Sequence, residues 1–168
     1  MASSHHLDGD RKRPLTFASL TVSDSRDAAS DASAPLIEAL VTEAGHRFAG
    51  AWYARDEAAG IRGALDQILT PGKAEIVIVT GGTGYAPRDV TVDALEGRFE
   101  RSIPGFGEVF RRLSFDEIGA PAMLSRSCAG IIDGVPVFLL PGSPQAVELA
   151  LERLILPAAG HLASLLRG

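Results

Sequence analysis

A short apolar run that ends at a glycine-rich turn constrains this chain more than any other feature. Residues 76–79 read Ile-Val-Ile-Val, and residues 80–91 continue as TGGTGYAPRDVT. A continuous apolar run of this length is typical of a strand that helices cover on both faces of a parallel sheet. The turn then lies at the carboxyl end of the strand, where open α/β sheets bind their ligands. The sequence therefore predicts a functional site in this turn.

The glycine-rich turn has two interpretations. Gly81, Gly82 and Gly84 can adopt positive φ and expose backbone amides, which would form an anion cradle. The alternative is a tight strand-to-helix connection without a ligand, because the turn has neither the Lys-Ser/Thr ending of a P-loop nor the spacing of a dinucleotide fingerprint. Arg88 and Asp89 favour the first interpretation. Phosphoryl chemistry needs a carboxylate for Mg²⁺ beside amides that hold phosphate oxygens.

Strand patterns alternate with helix patterns along the rest of the chain. Strand patterns cover residues 15–22, 47–54, 125–132 and 135–140, and helical stripes cover 36–44, 61–69, 92–99, 106–113 and 147–155. Asp133-Gly134 is a strong hairpin signal between the last two strands. Ser143 and Pro144 are suited to begin the final helix, which Pro157 is expected to break. We therefore predict a three-layer α/β/α fold with a mostly parallel mixed sheet and one antiparallel hairpin.

Three polar loops are predicted to follow parallel strands and to meet at one edge of the sheet. They are residues 23–27, 81–89 and 141–144. If their strands run parallel, these loops form a single pocket. Asp24 is interpreted as a turn residue that bonds its own backbone. Asp56 begins a helix, where the helix dipole stabilises an acid whatever else that acid does.

Length, charge and cysteine content limit the classes of function. The chain of 168 residues has a net charge of −5 and only two lysines, Lys12 and Lys73, which argues against binding to nucleic acid. Cys128 is the single cysteine, so a reducing, cytoplasmic location is expected. By inspection, no apolar run is long enough to span a membrane, so no membrane association is expected. Residues 1–14 are predicted to be a flexible tail before a single domain at 15–168.

Six segments together identify a family resemblance. In order, they are SDSR at residues 23–26, TGGTG at 80–84, RDVT at 88–91, PGFGE at 104–108, LSR at 124–126 and PGSP at 141–144. The chain resembles the MoaB/MogA family of molybdenum cofactor biosynthesis from about Thr16 to Leu166, and the MoaB branch in particular. The resemblance implies a homo-oligomer, either trimer or hexamer, that works beside other proteins of the pathway. It also implies a molybdopterin adenylyltransferase that uses ATP and Mg²⁺ and releases pyrophosphate.

The resemblance assigns roles residue by residue. Asp56 and Asp89 correspond to the catalytic acids, which would bind Mg²⁺ and align the attacking phosphate. The residues that would bind the nucleotide and molybdopterin are Ser23, Ser25, Arg26, Gly81, Gly82, Thr83, Gly84, Arg88, Ser125, Arg126, Pro141, Gly142 and Ser143. One segment departs from the family pattern, because residues 31–34 read Asp-Ala-Ser-Ala in place of Asp-Thr-Ser-Gly.

Two other functions stay open. The same loops would serve a non-catalytic carrier oligomer that binds molybdopterin without chemistry. They would also serve a different nucleotidyl or phosphoryl transferase, because a fold does not fix its substrate.

Overall fold

The computed structural model describes residues 13–167, in which six strands form one mixed sheet. The strands are β1 (Thr16–Val22), β2 (Arg47–Ala54), β3 (Ile76–Thr80), β4 (Arg101–Ser102), β5 (Cys128–Ile132) and β6 (Val135–Leu140). Their order across the sheet is β2-β1-β3-β6-β5-β4. The first four of these in spatial order are parallel, and β5 runs antiparallel to both of its neighbours. The predicted tail at 1–14 lies outside the described residues, apart from Arg13 and Pro14.

Helices cover both faces of this sheet. They are α1 (Ser33–Glu43), α2 (Ala58–Ile68), α3 (Thr91–Leu95), α4 (Pro104–Ile118), α5 (Pro144–Ala150) and α6 (Leu156–Arg167). Helices α1, α4, α5 and α6 pack on one face, and α2 and α3 pack on the other. Two short 3₁₀ segments, Glu96–Arg98 and Ala120–Leu124, connect these elements. The predicted three-layer α/β/α fold is confirmed.

Strand β3 is the centre of the domain. All five of its residues are buried, and successive side chains enter the two core clusters in turn. Ile76 and Ile78 pack toward α1 and α5, whereas Val77 and Val79 pack toward α2 and α3. Burying each such side chain is worth about 1.5–3 kcal/mol. The apolar run therefore fixes the strand in place and delivers the glycine-rich turn to the sheet edge.

The predicted hairpin at Asp133-Gly134 is also confirmed. Both residues have positive φ, 50° and 74°, which is the backbone of a two-residue type I′ turn between β5 and β6. Strand β5 begins at Cys128, whereas its pattern predicted a start at residue 125. The preceding backbone pairs with the glycine-rich turn instead, because the Arg126 amide donates to the Thr83 carbonyl at 3.0 Å.

The predicted break of the last helix at Pro157 is wrong. Helices α5 and α6 are joined by a π-helical turn at Leu151–Ile155, and the helix runs without interruption over Pro144–Arg167. The amide of Leu156 reaches back to the Leu151 carbonyl, so the wider winding falls just before the residue that has no amide hydrogen to donate.

The continuous helix contradicts the expectation that no apolar segment of the chain is long enough to span a membrane. Its 24 residues are long and apolar enough to cross a membrane by length and composition alone, contrary to what was inferred from the sequence. In the fold, Val147, Leu151, Ile155 and Ala159 of this helix belong to the buried core. Packing against the sheet therefore accounts for the buried third of its most apolar stretch.

Candidate functional site

The loops at the carboxyl ends of the parallel strands enclose one cleft of about 380 Å³. It is lined by residues 22–26, 56, 81–84, 88–89 and 141–143. The prediction that three loops meet at one edge is confirmed, because β1, β3 and β6 are parallel. Every residue predicted from the sequence to form the site lines this cleft except Ser125 and Arg126.

The glycine-rich turn has a backbone that only glycine fits at two positions. Gly81 and Gly82 have φ of 95° and 67°. A Cβ on Gly81 would lie 2.2 Å from the Val22 carbonyl oxygen, and one on Gly82 would lie 2.2 Å from Thr91 Oγ1. The Thr91 hydroxyl donates to the Gly81 carbonyl at 2.7 Å, and the Thr91 amide donates to the Gly82 carbonyl at 3.0 Å. The start of α3 thus holds the turn against β1.

Two acids from different loops face each other in the cleft. The Asp24 amide donates to Asp56 Oδ2, and the Asp56 amide donates to Asp24 Oδ1, both at 3.1 Å. Partial burial raises the pKa of Asp56, and the negative charges of Asp24 and Asp89 raise it further. Asp24 was interpreted as a simple turn residue, so sequence reasoning missed its place beside Asp56. The sequence gives no sign of this contact, because Asp24 and Asp56 are 32 residues apart in the chain.

Asp89 is fixed by its own turn. Its Oδ2 accepts the Ala86 amide at 2.8 Å, and its amide donates to the Ala86 carbonyl at 2.8 Å. A Cβ on Gly84 would lie 2.7 Å from the same Oδ2, so the absence of a side chain at residue 84 leaves room for this carboxylate. Asp89 is therefore held against the glycine-rich turn.

The carboxylates of Asp56 and Asp89 could bind a cation together with phosphate oxygens of a ligand. Asp56 and Asp89 each use Oδ2 for a backbone amide, and within residues 13–167 neither Oδ1 accepts a hydrogen bond. The same residues contain no group of three or more His, Cys, Asp or Glu side chains arranged to hold a metal. Mg²⁺ typically takes one or two carboxylates and completes its shell with substrate phosphates and water. Two carboxylate oxygens of the cleft are therefore available to a hard cation such as Mg²⁺.

Arg26 joins two of the loops. Its Nη1 donates to the Gly142 carbonyl at 2.9 Å, and its amide donates to Ser23 Oγ at 3.1 Å. Arg88 is exposed on the opposite loop, at the cleft lining. Ser143 is the N-cap of α5, because its Oγ accepts the Ala146 amide at 3.3 Å. Two arginines thus bring positive charge to a cleft that also contains three carboxylates.

Arg126 lies outside the cleft lining and braces the glycine-rich turn. Its Nε donates to the Gly84 carbonyl at 2.9 Å, and its Nη2 donates to the Asp89 carbonyl at 2.8 Å. It also pairs with Asp93 at 3.0 Å. These contacts commit the guanidinium to two backbone carbonyls and the Asp93 carboxylate. Ser125, the other residue absent from the cleft, lines a smaller pocket beside it.

A buried carboxylate supports the loops from below. Asp31 is only 6% exposed, and it accepts hydrogen bonds from the Thr21 hydroxyl at 2.8 Å and from the amides of Ser33 and Ala34. It satisfies two amides at the start of α1, whose N-cap residue is Ala32, and it ties that helix to the end of β1. The Ser33 hydroxyl then donates to the Gly142 carbonyl at 3.3 Å. Residues 31–34 depart from the family pattern, but they retain the Asp31 carboxylate and the Ser33 hydroxyl that make these contacts.

Comparisons with known proteins agree with this fold. Residues 18–161 match the family model described as a probable molybdopterin binding domain. The chain is 40% identical over 144 residues to molybdenum cofactor biosynthesis protein B of Bacillus subtilis, covering 85% of each chain.

Two solved structures are similar over nearly their whole length. One is a molybdenum cofactor biosynthesis protein B with a TM-score of 0.88 and 38% identity, covering 92% of this chain and 97% of that chain. The other is the tungsten cofactor synthesizing protein MoaB from Pyrococcus furiosus, with a TM-score of 0.83 and 33% identity, covering 93% and 99%. The chain therefore belongs to the MoaB/MogA family of molybdenum cofactor biosynthesis proteins.

Proposed function

We propose that this protein is a molybdopterin adenylyltransferase that uses ATP and Mg²⁺. The proposal rests on the set of chemical groups that line one cleft. The glycine-rich turn, the cations Arg26 and Arg88, and the acids Asp56 and Asp89 all line it. A role in molybdenum cofactor biosynthesis accords with the family, and this set of groups is what transfer of a nucleotidyl group between phosphates requires.

The proposed reaction forms one phosphorus–oxygen bond and breaks another. An oxygen of the terminal phosphate of molybdopterin attacks the α-phosphorus of ATP. The bond from the α-phosphorus to the oxygen that bridges it to the β-phosphorus breaks, and pyrophosphate leaves with that oxygen. Arg26 and Arg88 attract both phosphorylated substrates and lower the repulsion between them. The Gly81 amide donates to the Leu140 carbonyl, so the amides at residues 82–84 are the ones that would orient phosphate oxygens along the turn.

Asp56 and Asp89 would hold the magnesium ion through their Oδ1 atoms. When bound, Mg²⁺ neutralises charge on the phosphates of ATP. Asp24 keeps Asp56 in place through the pair of backbone hydrogen bonds between their loops. Burial and the charge of Asp24 raise the pKa of Asp56, and a bound cation would stabilise the ionised form of this carboxylate.

We also propose that the protein forms a trimer or hexamer in the cytoplasm, beside other proteins of the pathway. Large apolar side chains are exposed along α4 and the 3₁₀ segment that follows it. They are Val109, Phe115, Ile118, Met123 and Leu124, which are 46–73% exposed. A group of exposed apolar residues of this kind is typical of a surface that a partner covers.

Release of pyrophosphate tests the proposed reaction. Protein mixed with molybdopterin, ATP and Mg²⁺ is expected to release pyrophosphate, and Asp89→Asn is expected to lower the rate by at least a hundredfold. Asp116→Asn is the matched control, because that exposed acid pairs with Arg112 on α4 and does not line the cleft. Equal rates for the wild type and Asp89→Asn would reject the proposal.

The second candidate is a non-catalytic molybdopterin carrier. The description of the matching family model as a binding domain favours it. Calorimetry separates the two candidates. A carrier binds molybdopterin and has no affinity for ATP with or without Mg²⁺, whereas the proposed enzyme binds both ligands and binds ATP more tightly when Mg²⁺ is present.

A further inference from the structure

The Arg26 guanidinium lies against the Gly142 peptide, where the loop after β1 meets the loop after β6. Its Nη1 donates to the Gly142 carbonyl at 2.9 Å. A Cβ on Gly142 would lie 3.2 Å from Arg26 Nη2 and 3.4 Å from Nη1, so the guanidinium occupies the space beside this glycine. Within residues 13–167, Nε and Nη2 of Arg26 donate to no group, and Arg26 lines the cleft. These two nitrogens are therefore available to a ligand there.

The Gly142 carbonyl has a second donor, which comes from α1. Ser33 is fully buried, and its hydroxyl donates to the same oxygen at 3.3 Å. A carbonyl oxygen has two lone pairs and can accept both hydrogen bonds. Ser33 does not line the cleft, so its hydroxyl reaches the site only through this carbonyl.

A line of buried hydrogen bonds fixes Ser33 from the side of the core. Asp31 Oδ1 accepts the Ser33 amide at 2.9 Å, and Asp31 Oδ2 accepts the Thr21 hydroxyl at 2.8 Å. The hydroxyl of Thr80, the last residue of β3, donates to Thr21 Oγ1 at 3.4 Å. None of these four residues is more than 6% exposed. The ends of β1 and β3 therefore set the place of the Ser33 side chain.

We propose that Ser33 is a positioning residue for phosphate binding, because through the Gly142 carbonyl it holds the Arg26 guanidinium with its free donors toward the cleft. A guanidinium that is already held in one orientation loses less conformational freedom when its planar fork binds a phosphate. Without the Ser33 hydroxyl, the carbonyl keeps only one of its two donors and the guanidinium is held less firmly. The choice of a polyphosphate as the ligand rests on the proposed function.

Calorimetry with tripolyphosphate and Mg²⁺ measures this effect on binding. Ser33→Ala is expected to weaken the affinity by about threefold to tenfold, the effect of one lost neutral hydrogen bond. The variant keeps the Ser33 backbone amide that Asp31 accepts, so the start of α1 is retained, and urea unfolding checks this. Ser19→Ala is the matched control, because Ser19 is an equally buried serine that does not line the cleft, and its affinity should equal that of the wild type.

A double-mutant cycle with Arg26→Lys separates positioning from general support of the fold. Lysine keeps the positive charge of Arg26 but has no planar fork. If Ser33 acts through Arg26, Ser33→Ala should weaken tripolyphosphate binding by less than about twofold in the Arg26→Lys background. An equal loss in both backgrounds would overturn the proposal, and so would wild-type affinity in Ser33→Ala alone.

Gly142→Ala covers the case in which Ser33→Ala does not fold. Gly142 does not have positive φ, so alanine suits its backbone, and the added Cβ must displace the guanidinium by a few tenths of an ångström while Ser33 stays unchanged. Tripolyphosphate binding is expected to weaken by about threefold or more, and by less than about twofold in the Arg26→Lys background. Wild-type affinity in Gly142→Ala would overturn the proposal, because the guanidinium would then need no fixed place on this peptide.

These measurements record binding and need no turnover, so the two proposals can fail separately. A wild-type protein that binds tripolyphosphate and releases no pyrophosphate would reject the proposed reaction, and the cycle would still test Ser33. Release of pyrophosphate together with unchanged affinity in Ser33→Ala would reject the role of Ser33 alone. A wild-type protein that binds no tripolyphosphate would also overturn that role.

Discussion

Substitution of Gly84 by alanine would move the Asp89 carboxylate without straining the backbone. Gly84 does not have positive φ, so alanine is compatible with its conformation. The added Cβ would lie 2.7 Å from Asp89 Oδ2 and 3.5 Å from Cγ. Ordinary contact begins near 3.4 Å, so the carboxylate must move by about 0.7 Å.

Both consequences of this shift can be given a magnitude. Misplacing a reacting group by 1 Å costs about a hundredfold in rate, so kcat is expected to fall by about 30- to 100-fold. The bond from the Ala86 amide to Asp89 is weakened, which costs about 1.5–3 kcal/mol in the free energy of unfolding. Removing a glycine from the unfolded chain returns about 0.4–1 kcal/mol. The net loss of stability is therefore about 0.5–2.6 kcal/mol.

The assay is steady-state pyrophosphate release over a range of Mg²⁺ concentrations, with urea unfolding of the same samples. Gly63→Ala in α2 is the control, because nothing lies within 4 Å of the Cβ it adds, and its kcat should equal that of the wild type. In an Asp89→Asn background, Gly84→Ala should have little further effect. Wild-type kcat and Mg²⁺ dependence in Gly84→Ala would refute the claim that the position of Asp89 governs the reaction.

Three further predictions concern other parts of the chain. In urea unfolding, Ser19→Ala should raise the free energy of unfolding by about 1–2 kcal/mol, because the sealed Ser19 oxygen has no partner among the described residues. Thr21→Val should lower the free energy of unfolding by about 1–3 kcal/mol, because buried Asp31 loses the donor that Thr21 provides. A less stable Ser19→Ala together with a more stable Thr21→Val would contradict these causes. The folded pKa of Asp56 is raised above its unfolded value, so its contribution to stability falls as pH rises from about 3.8 through the higher folded pKa. Asp56→Asn should therefore raise the melting temperature at pH 7 and not at pH 3, and a gain that did not depend on pH would argue against this cause. Arg126→Lys should lower kcat by about tenfold at nearly unchanged KM, because one ammonium cannot replace the planar donors on two carbonyls; a wild-type kcat would show that the brace is dispensable.

The sheet was predictable because its signals are local. Strand β2 has the predicted bounds, and the two positive φ angles at Asp133-Gly134 follow directly from the residue types. Strand β4 was missed because its two residues are exposed and show no periodicity. The π turn before Pro157 was missed because winding depends on how a whole helix packs against the sheet, which a breaker residue alone does not indicate.

The site was only partly predictable because several contacts join residues far apart in sequence. The position of Asp89 after a buried strand indicated a site by itself. Asp24 gave no such signal, since its partner Asp56 is 32 residues away. Arg126, which the family resemblance predicts to bind a ligand, also braces the Gly84 and Asp89 carbonyls with its side chain. Motifs identified which residues gather at this edge, while the direction of each side chain depended on the fold.

The fate of the phosphates of ATP tests the central claim most directly. Protein would be incubated with molybdopterin and Mg²⁺, using ATP labelled at either the α- or the γ-phosphorus. The α label is expected to enter the pterin product and the γ label to enter pyrophosphate, and Asp56→Asn and Asp89→Asn are expected to abolish both. Transfer of the γ label to the pterin, or transfer of neither label by a wild-type protein that binds both substrates, would contradict the claim.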